Sequence, residues 1–140
     1  MEKFKTRSRI SYGDTDKMGY CYYGNYPKYY EIGRTEMLRS MGLTYRELEE
    51  DGIIMPVVNM NINYKKPAFY DDLITIQTSL KELKGSRIIF QYEIFNEKEE
   101  LLNYGETTLA FIDVHRNRPV IAPEKIVRIF NDKSNSNGIK

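Results

Sequence analysis

The amino-acid sequence predicts an α+β fold, in which one antiparallel sheet packs against one long helix. Apolar and tyrosine side chains recur at helical spacing from about Tyr26 to Met41, which indicates a helix with one core-facing side. From Ile53 onward the apolar period changes to two, and turn-forming residues separate the runs, as is typical of antiparallel strands. A helix and a sheet that are each apolar on one side bury those sides by stacking, so the pattern indicates a layered domain.

The first predicted element is a strand that leads into a loop. Phe4 opens a row of uncharged side chains that alternates with Lys5, Arg7 and Arg9, and this period of two indicates a strand with one charged face. Residues 13–21 carry Gly, Asp, Thr and Lys without any periodicity, and we interpret them as a loop.

The long helix carries its own start and stop signals. Asn25 is a candidate N-cap and Pro27 lies in the first turn, where its missing N–H costs nothing. Gly42 follows the last periodic residue and is a typical C-terminal stop. Gly33 lies on the apolar side, where the absence of a side chain would let another backbone approach closely.

A second, short helix and four strands are predicted to follow. The helix extends from Thr44, which forms a capping-box pattern with Glu47, to Gly52. The strands are expected at residues 58–64, 74–80, 88–94 and 105–113. Turn signals at residues 84–86 and 96–99 predict that the last three strands form a meander.

The C-terminal part is predicted to be a helix followed by a polar tail. Pro123 opens a short helix that is expected to end at Phe130. The polar composition of residues 131–140 predicts disorder. Because the chain has 140 residues and no internal repeat or linker, residues 1–130 are predicted to form a single domain.

Composition and charge exclude several functional classes. The net charge of +1 gives no bulk attraction for nucleic acid or an anionic membrane, and no nucleic-acid partner is expected. No run approaches the roughly 20 apolar residues that a membrane-spanning helix needs. A single cysteine, Cys21, and an N-terminus without an apolar leader predict a reducing, cytoplasmic location.

Several common catalytic motifs are absent from the sequence. It contains no Gly-x-Ser-x-Gly elbow, no glycine-rich phosphate loop and no Cys-x-x-Cys, and we expect neither a metal nor a cofactor. The single histidine, His115, lies in a polar turn and is interpreted as a solvated loop residue. Cys21 lies among tyrosines without an activating partner, which favours a packed thiol over a reactive one.

The most informative stretch is the loop before the long helix, where Asp14 and Asp16 are two residues apart. Both aspartates could simply be turn formers. Alternatively, one carboxylate faces a cleft, where it attacks an acyl carbon or activates water. The backbone N–H groups of the first helical turn would then stabilise the oxyanion.

Three segments resemble a known family. The first is Asp-x-Asp-x-x-Gly at residues 14–19, followed by Asn25 and the tyrosine-rich helix. The second is Tyr-Lys-Lys-Pro-Ala-Phe-Tyr-Asp-Asp at residues 64–72, and the third is residues 105–113 with an Arg-Pro pair at 118–119. Together they are similar, over roughly residues 4–130, to the hotdog-fold acyl-CoA thioesterases of the 4-hydroxybenzoyl-CoA thioesterase and YbgC type.

The resemblance implies specific roles in the loop. In that family the second aspartate of the motif is catalytic, as nucleophile or general base, and here it is Asp16. Asp14 would be structural. The backbone N–H that polarises the thioester carbonyl maps onto Tyr23. Many YbgC-type members carry His at this position, whereas hydroxybenzoyl-type members can carry an aromatic residue, so the sequence favours a mechanism without a catalytic His.

The resemblance also implies a binding site and an assembly. The acyl pocket would lie between helix and sheet at a dimer interface of a homodimer or homotetramer. Its candidate lining residues, each of which could equally be ordinary core, are Tyr26, Tyr29, Tyr30, Met60 and Ile62. A basic rim for the CoA phosphates would comprise Lys65, Lys66, Lys84 and Arg87, which could equally form a solvated edge. The alternative functions are an acyl-carrier-protein thioesterase and a non-catalytic acyl-CoA binding module.

Overall fold

A computed structural model describes the backbone of residues 3–138 and the side chains of residues 3–131. These residues form eight strands and three α-helices. In chain order they are β1 (Phe4–Arg9), α1 (Tyr26–Ser40), α2 (Tyr45–Glu50), β2 (Ile53–Ile54), β3 (Val57–Tyr64), β4 (Leu73–Lys84), β5 (Arg87–Phe95), β6 (Leu101–Ala110), β7 (Ile112–Asp113), β8 (Arg118–Pro119) and α3 (Glu124–Gly138).

The five longer strands form one antiparallel sheet in the order β1-β4-β5-β6-β3. Consecutive strands β4, β5 and β6 pair as a meander, as the turn signals predicted. The remaining strands form a small sheet in the order β2-β7-β8. The antiparallel sheet with its long central helix confirms the predicted α+β hotdog architecture.

Helix α1 packs its apolar side on the inner face of the sheet. Tyr30 and Met37 are fully buried there, and burying one such side chain is worth about 1.5–3 kcal/mol. At Gly33 the expected close approach of another backbone is not what the structure shows, because side chains of β4 fill the space. A Cβ atom at this position would overlap Thr78 Oγ1 and would lie 2.8 Å from Ile76 Cγ2.

A buried arginine links α1 to its neighbours. Arg34 is 5% exposed, and its Nε donates to Tyr45 Oη at 2.8 Å while its Nη1 lies 3.5 Å from Tyr92 Oη. Tyr45 belongs to α2 and Tyr92 to β5. The guanidinium also lies 4.0 Å from the Glu31 carboxylate, and its two phenol contacts link α1 to α2 and to the sheet.

The two ends of α1 differ in how well the sequence predicted them. The C-terminal stop is confirmed, because Gly42 has φ +86° and the N–H of Leu43 donates to Leu38 O at 3.0 Å. The predicted cap at Asn25 is wrong. A short 3-10 turn, Tyr23–Asn25, precedes the helix, and the Asn25 side chain donates to Asp14 O at 2.9 Å instead of capping.

Element boundaries also differ near the C-terminus. Strand β6 begins at Leu101, before the predicted start at Gly105, because pairing with β3 and β5 outweighs the weak strand propensity of residues such as Asn103. Helix α3 continues to Gly138, beyond the predicted end at Phe130. Residues 139–140 lie outside the described part of the chain, and the disorder of the tail stays a prediction. Among residues 3–138, no helix is long and apolar enough to cross a membrane.

Strand β3 is an edge of the five-stranded sheet, and it exposes apolar side chains. Val57, Val58 and Met60 are 40%, 46% and 39% exposed, and the last residue of the strand, Tyr64, is 51% exposed. An unpaired edge with apolar side chains is normally covered by another element or another chain.

Candidate active-site cleft

A cleft of about 290 Å³ opens where the loop before α1 meets the end of β3. The residues that line it come from this loop, from the start of α1 and from the segment that follows β3. They are Asp16, Met18, Tyr20, Cys21, Tyr23, Tyr26, Tyr64, Lys65, Lys66 and Pro67. The structure therefore brings five of the predicted site residues together, namely Asp16, Tyr23, Tyr26, Lys65 and Lys66.

Asp14 holds the loop against α1. Its carboxylate is buried and accepts hydrogen bonds from Lys28 Nζ, at 2.7 and 2.9 Å, and from the Tyr29 hydroxyl. Its carbonyl oxygen accepts from the Tyr22 N–H at 2.7 Å. Burial by itself raises the pKa of the Asp14 carboxyl, but the hydrogen bonds outweigh this, and the pKa lies below its ordinary value. These contacts attach the loop to α1, and the structural role of Asp14 stays a prediction.

Asp16 occupies a different environment in the same loop. It is partly exposed and lines the cleft. Its Oδ1 accepts from the Met18 N–H at 2.9 Å, and its backbone closes a turn in which the Gly19 N–H donates to Asp16 O at 3.0 Å. Gly19 has φ +83°, a conformation that favours glycine. One carboxylate oxygen is thereby oriented, and within the described residues the other has no hydrogen-bond donor.

The turn at the start of α1 offers backbone donors. The amide of Asn25 donates to Tyr22 O, and the amide of Tyr26 donates to Tyr23 O. Within residues 3–138, the N–H groups of Tyr23 and Gly24 have no acceptor. Free N–H groups at a helix N-terminus attract developing negative charge.

An aromatic wall closes one side of the cleft. The distance between ring centroids is 6.2 Å from Tyr64 to Tyr23 and 5.8 Å from Tyr64 to Tyr26.

Cys21 also lines the cleft, but it is only 4% exposed, and burial raises the pKa of its thiol to about 11. The thiol is therefore protonated at neutral pH, which agrees with a packed rather than a reactive cysteine.

Four of the predicted pocket residues do not line this cleft. Tyr29 and Tyr30 are buried in the core, where the Tyr29 hydroxyl binds Asp14 and the Tyr30 hydroxyl donates to Asn103 Oδ1 at 2.8 Å. Their alternative interpretation as ordinary core is the one that the packing supports. Met60 and Ile62 share a face of β3 with Tyr64, but neither reaches the cleft within one chain.

The predicted basic rim is divided between two ends of the sheet. Lys65 lies 5.7 Å from the Tyr104 ring centroid, and Lys66 forms a 2.5 Å salt bridge with Glu100, both beside the cleft. Arg87 instead begins β5 and pairs with Ala110, together with Lys84 at the end of β4. The Lys65 N–H donates to the carbonyl oxygen of Leu102 on β6. Leu102 is eight residues from Ala110, the residue that pairs with Arg87, so Arg87 is about 27 Å along the sheet from Lys65.

Two other places are poor candidates for chemistry. A larger groove of about 480 Å³ lies on the outer face of the sheet, but its carboxylates are already paired, Glu93 with Lys3 and Glu106 with Lys81. His115 is exposed in the turn between β7 and β8, as predicted, and does not line the cleft.

One prominent lining residue, Tyr64, was not among the predicted site residues. Its signal was available, because Tyr64 follows Ile62 at a spacing of two and immediately precedes Lys65. Residues on one face of a strand share one environment, so a tyrosine at the cleft end of that face could have been included.

Comparison with known proteins places this geometry in a family. The sequence model of the thioesterase-like superfamily matches residues 10–130. The acyl-CoA thioester hydrolase YbgC of Escherichia coli O6:H1 is 33% identical over 127 residues, covering 91% of this chain and 95% of that protein. The acyl-CoA thioesterase YbgC of Haemophilus influenzae is 31% identical over 124 residues, covering 88% of this chain and 90% of that protein.

A solved structure agrees with these relatives. The crystal structure of a DHNA-CoA thioesterase from Staphylococcus aureus superposes with a TM-score of 0.92 at 33% identity, covering 100% of this chain and 97% of that chain. The chain therefore belongs to the thioesterase-like superfamily. The predicted family and the predicted enzyme class, a thioester hydrolase, are confirmed.

Proposed function

We propose that this chain is an acyl-CoA thioesterase, which hydrolyses the thioester to a free acid and CoA. One observation carries the proposal: Asp16, which has a carboxylate oxygen without a donor, and Tyr23, whose N–H has no acceptor within residues 3–138, line the same cleft. The names of the two YbgC relatives support acyl-CoA as the substrate class. The Staphylococcus aureus structure, a DHNA-CoA thioesterase, supports the same carrier.

The chemistry follows from the placement of these groups. Asp16, as nucleophile or general base, adds an oxygen nucleophile to the thioester carbon, and the carbonyl oxygen gains negative charge. The free amides of Tyr23 and Gly24, in the turn at the start of α1, donate to that oxygen. Collapse of the tetrahedral intermediate then breaks the C–S bond and releases the CoA thiolate. If Asp16 is the nucleophile, water next hydrolyses the mixed anhydride on Asp16 to the free acid and supplies the thiol proton. If Asp16 is the general base, it takes a proton from the attacking water and passes it to the thiolate. The contacts of Asp14 with Lys28 and Tyr29 tie the loop that carries Asp16 to α1.

We propose that Lys65 and Lys66 form part of the CoA site. Both side chains lie at the mouth of the cleft, and ammonium groups attract phosphate oxygens. Lys66 is bound to Glu100, so a phosphate would have to compete with that carboxylate. Lys65 lies over the Tyr104 ring and carries no carboxylate partner among the described residues.

Arg87 can join this site only from a second copy of the chain. Two β3 edges that pair antiparallel would cover Val57, Val58 and Met60 and extend the sheet across the dimer. Such pairing places the Val57 end of one strand beside the Tyr64 end of the other. Because Val57 pairs with β6 near Ala110, the partner's Arg87 end would approach the cleft. We therefore propose a homodimer, with a homotetramer as a further level of assembly.

The proposal is tested by Asp16→Asn. This change keeps the side-chain volume and removes the charge, so we expect a folded protein with at least about 100-fold lower turnover on acyl-CoA. Substrate binding should be retained, because Asp16 acts in the transition state. Asp51→Asn, at an exposed ion pair with Lys125, is the matched control.

Free thiol release from a panel of acyl-CoAs and calorimetric binding distinguish the alternatives. A folded Asp16→Asn protein that hydrolyses at the wild-type rate would contradict the assignment of this residue. A wild-type protein that binds acyl-CoA without hydrolysing it would be a binding module. Faster turnover of the same acyl group on acyl carrier protein than on CoA would identify the other carrier.

A further inference from the structure

We propose that Tyr64 is a positioning residue, which fixes the oxyanion-donor turn from its carbonyl side. The inference rests on the proposed function, because it concerns the turn whose amides are assigned to the oxyanion. It adds a residue from the sheet to a site that otherwise consists of the loop and the helix start.

The contact that carries the inference joins β3 to the start of α1. The Tyr64 hydroxyl donates to the carbonyl oxygen of Tyr23 at 3.4 Å, a long hydrogen bond. The same oxygen accepts the N–H of Tyr26, so both of its acceptor positions are used. Tyr64 is the last residue of β3, and the interaction spans 41 positions of the sequence. The peptide between Tyr23 and Gly24 is thus held by groups from two different elements.

The geometry of this peptide gives the contact a chemical effect. Its carbonyl oxygen belongs to Tyr23 and its N–H to Gly24, and within the described residues that N–H has no acceptor. A hydrogen bond accepted at the carbonyl polarises the amide and strengthens its N–H as a donor, by about 10–30% per bond. Tyr64 thereby acts on the donors without touching the reacting atoms.

Aromatic rings lie next to this turn. A Cβ atom on Gly24 would lie 2.5 Å from Tyr22 Cε2, so a side chain at this position would displace that ring. The Tyr64 ring packs on the Tyr23 ring in an edge-to-face arrangement. The hydroxyl and the ring of Tyr64 therefore act on the same residue, and the two effects separate by mutation.

The size of the effect follows from the contribution of one oxyanion donor to turnover. Removing such a donor lowers turnover about 10²–10³-fold. Reducing the free-energy contribution of that donor by 10–30% therefore lowers turnover by about two- to eightfold. Tyr64→Phe, which deletes the hydroxyl and keeps the ring, should lower kcat by this factor. KM should stay within about twofold, because the substrate contacts of the ring remain.

The experiment compares wild type, Tyr64→Phe and the control Tyr70→Phe. Tyr70 is 57% exposed, packs on the Tyr12 ring and lies outside the cleft. Steady-state kinetics on one acyl-CoA and thermal melts are measured for all three. A second readout is the thioester carbonyl stretch of acyl-CoA bound to the Asp16→Asn protein, with and without Tyr64→Phe.

The outcomes separate the inference from the proposed function. A lower kcat with unchanged KM and melting, and a carbonyl stretch closer to its value in water, would support positioning by Tyr64. An unchanged kcat, or a raised KM alone, would overturn the inference while leaving the hydrolase intact. Absence of acyl-CoA hydrolysis by the wild type would overturn the proposed function, and the inference with it.

Discussion

Replacing Asp14 with Asn tests whether this carboxylate holds the loop. The wild-type carboxylate accepts three hydrogen bonds from Lys28 and Tyr29 while buried, and hydrogen bonds to a charged group contribute about 1.5–3 kcal/mol each. Lys28 is half exposed, so its share is screened by solvent. Asn keeps one acceptor oxygen. We therefore expect a loss of about 1.5–3 kcal/mol, which for a domain of this size lowers Tm by about 5–12 °C.

The pH dependence of this loss has a defined sign. The pKa of Asp14 is lowered in the folded protein, so its contribution is present above the ordinary value of 3.8. The contribution is lost as the pH falls through the lower, folded pKa, because the carboxylate is then protonated in both states. The Tm difference between wild type and Asp14→Asn should thus be constant near neutral pH and shrink below about pH 4.

Urea and thermal unfolding between pH 3 and 8 measure this loss, with Asp51→Asn as the control. The control changes an exposed ion pair and should alter stability by less than about 1 kcal/mol. Turnover of the folded Asp14→Asn protein should remain within a few-fold of wild type. A Tm change of under 2 °C, or full loss of turnover without any loss of stability, would refute a bracing role for Asp14.

Two further predictions concern packing and assembly. Gly33→Ala should lower the free energy of unfolding in urea by about 1–2 kcal/mol, because overpacking against Thr78 and Ile76 exceeds the gain in helix propensity. A more stable variant would contradict this packing. Light scattering at micromolar concentration should give a homodimer or tetramer. Arg87→Glu should then raise KM for acyl-CoA at low salt, and a monomer or an unchanged KM would contradict the shared CoA site.

Local signals in the sequence predicted the helix and the loop well. The helical period and Gly42 located the end of α1, because a glycine with positive φ terminates a helix whatever lies around it. The Asp-x-Asp spacing located both carboxylates in one loop, where the structure puts Asp14 inside and Asp16 in the cleft. These features depend on neighbours in the chain, so one sequence is enough to predict them.

Features that depend on the strand order could not be predicted in the same way. Arg87 was grouped with Lys65 because both lie at strand ends, but the sheet order puts β6 between their strands and separates them along its length. Tyr29 and Tyr30 share the helix side of Tyr26 and all three are buried, but only Tyr26 lines the cleft. Their hydroxyls find partners in distant elements, which no local pattern of tyrosines specifies.

The division of the loop into an anchored part and a free part affects how substrate preference can evolve. Asp14 ties one end of the loop to α1, and the Cys21 N–H ties the other to Ala68 O at 2.7 Å. Between these attachments, Met18 lines the cleft and is 70% exposed, whereas Tyr20 also packs edge-to-face on the Phe69 ring. Mutations of Met18 can therefore reshape the cleft wall at little cost in stability. Drift and selection can act on specificity here while the Asp16 carboxylate, the proposed catalytic group, keeps its position.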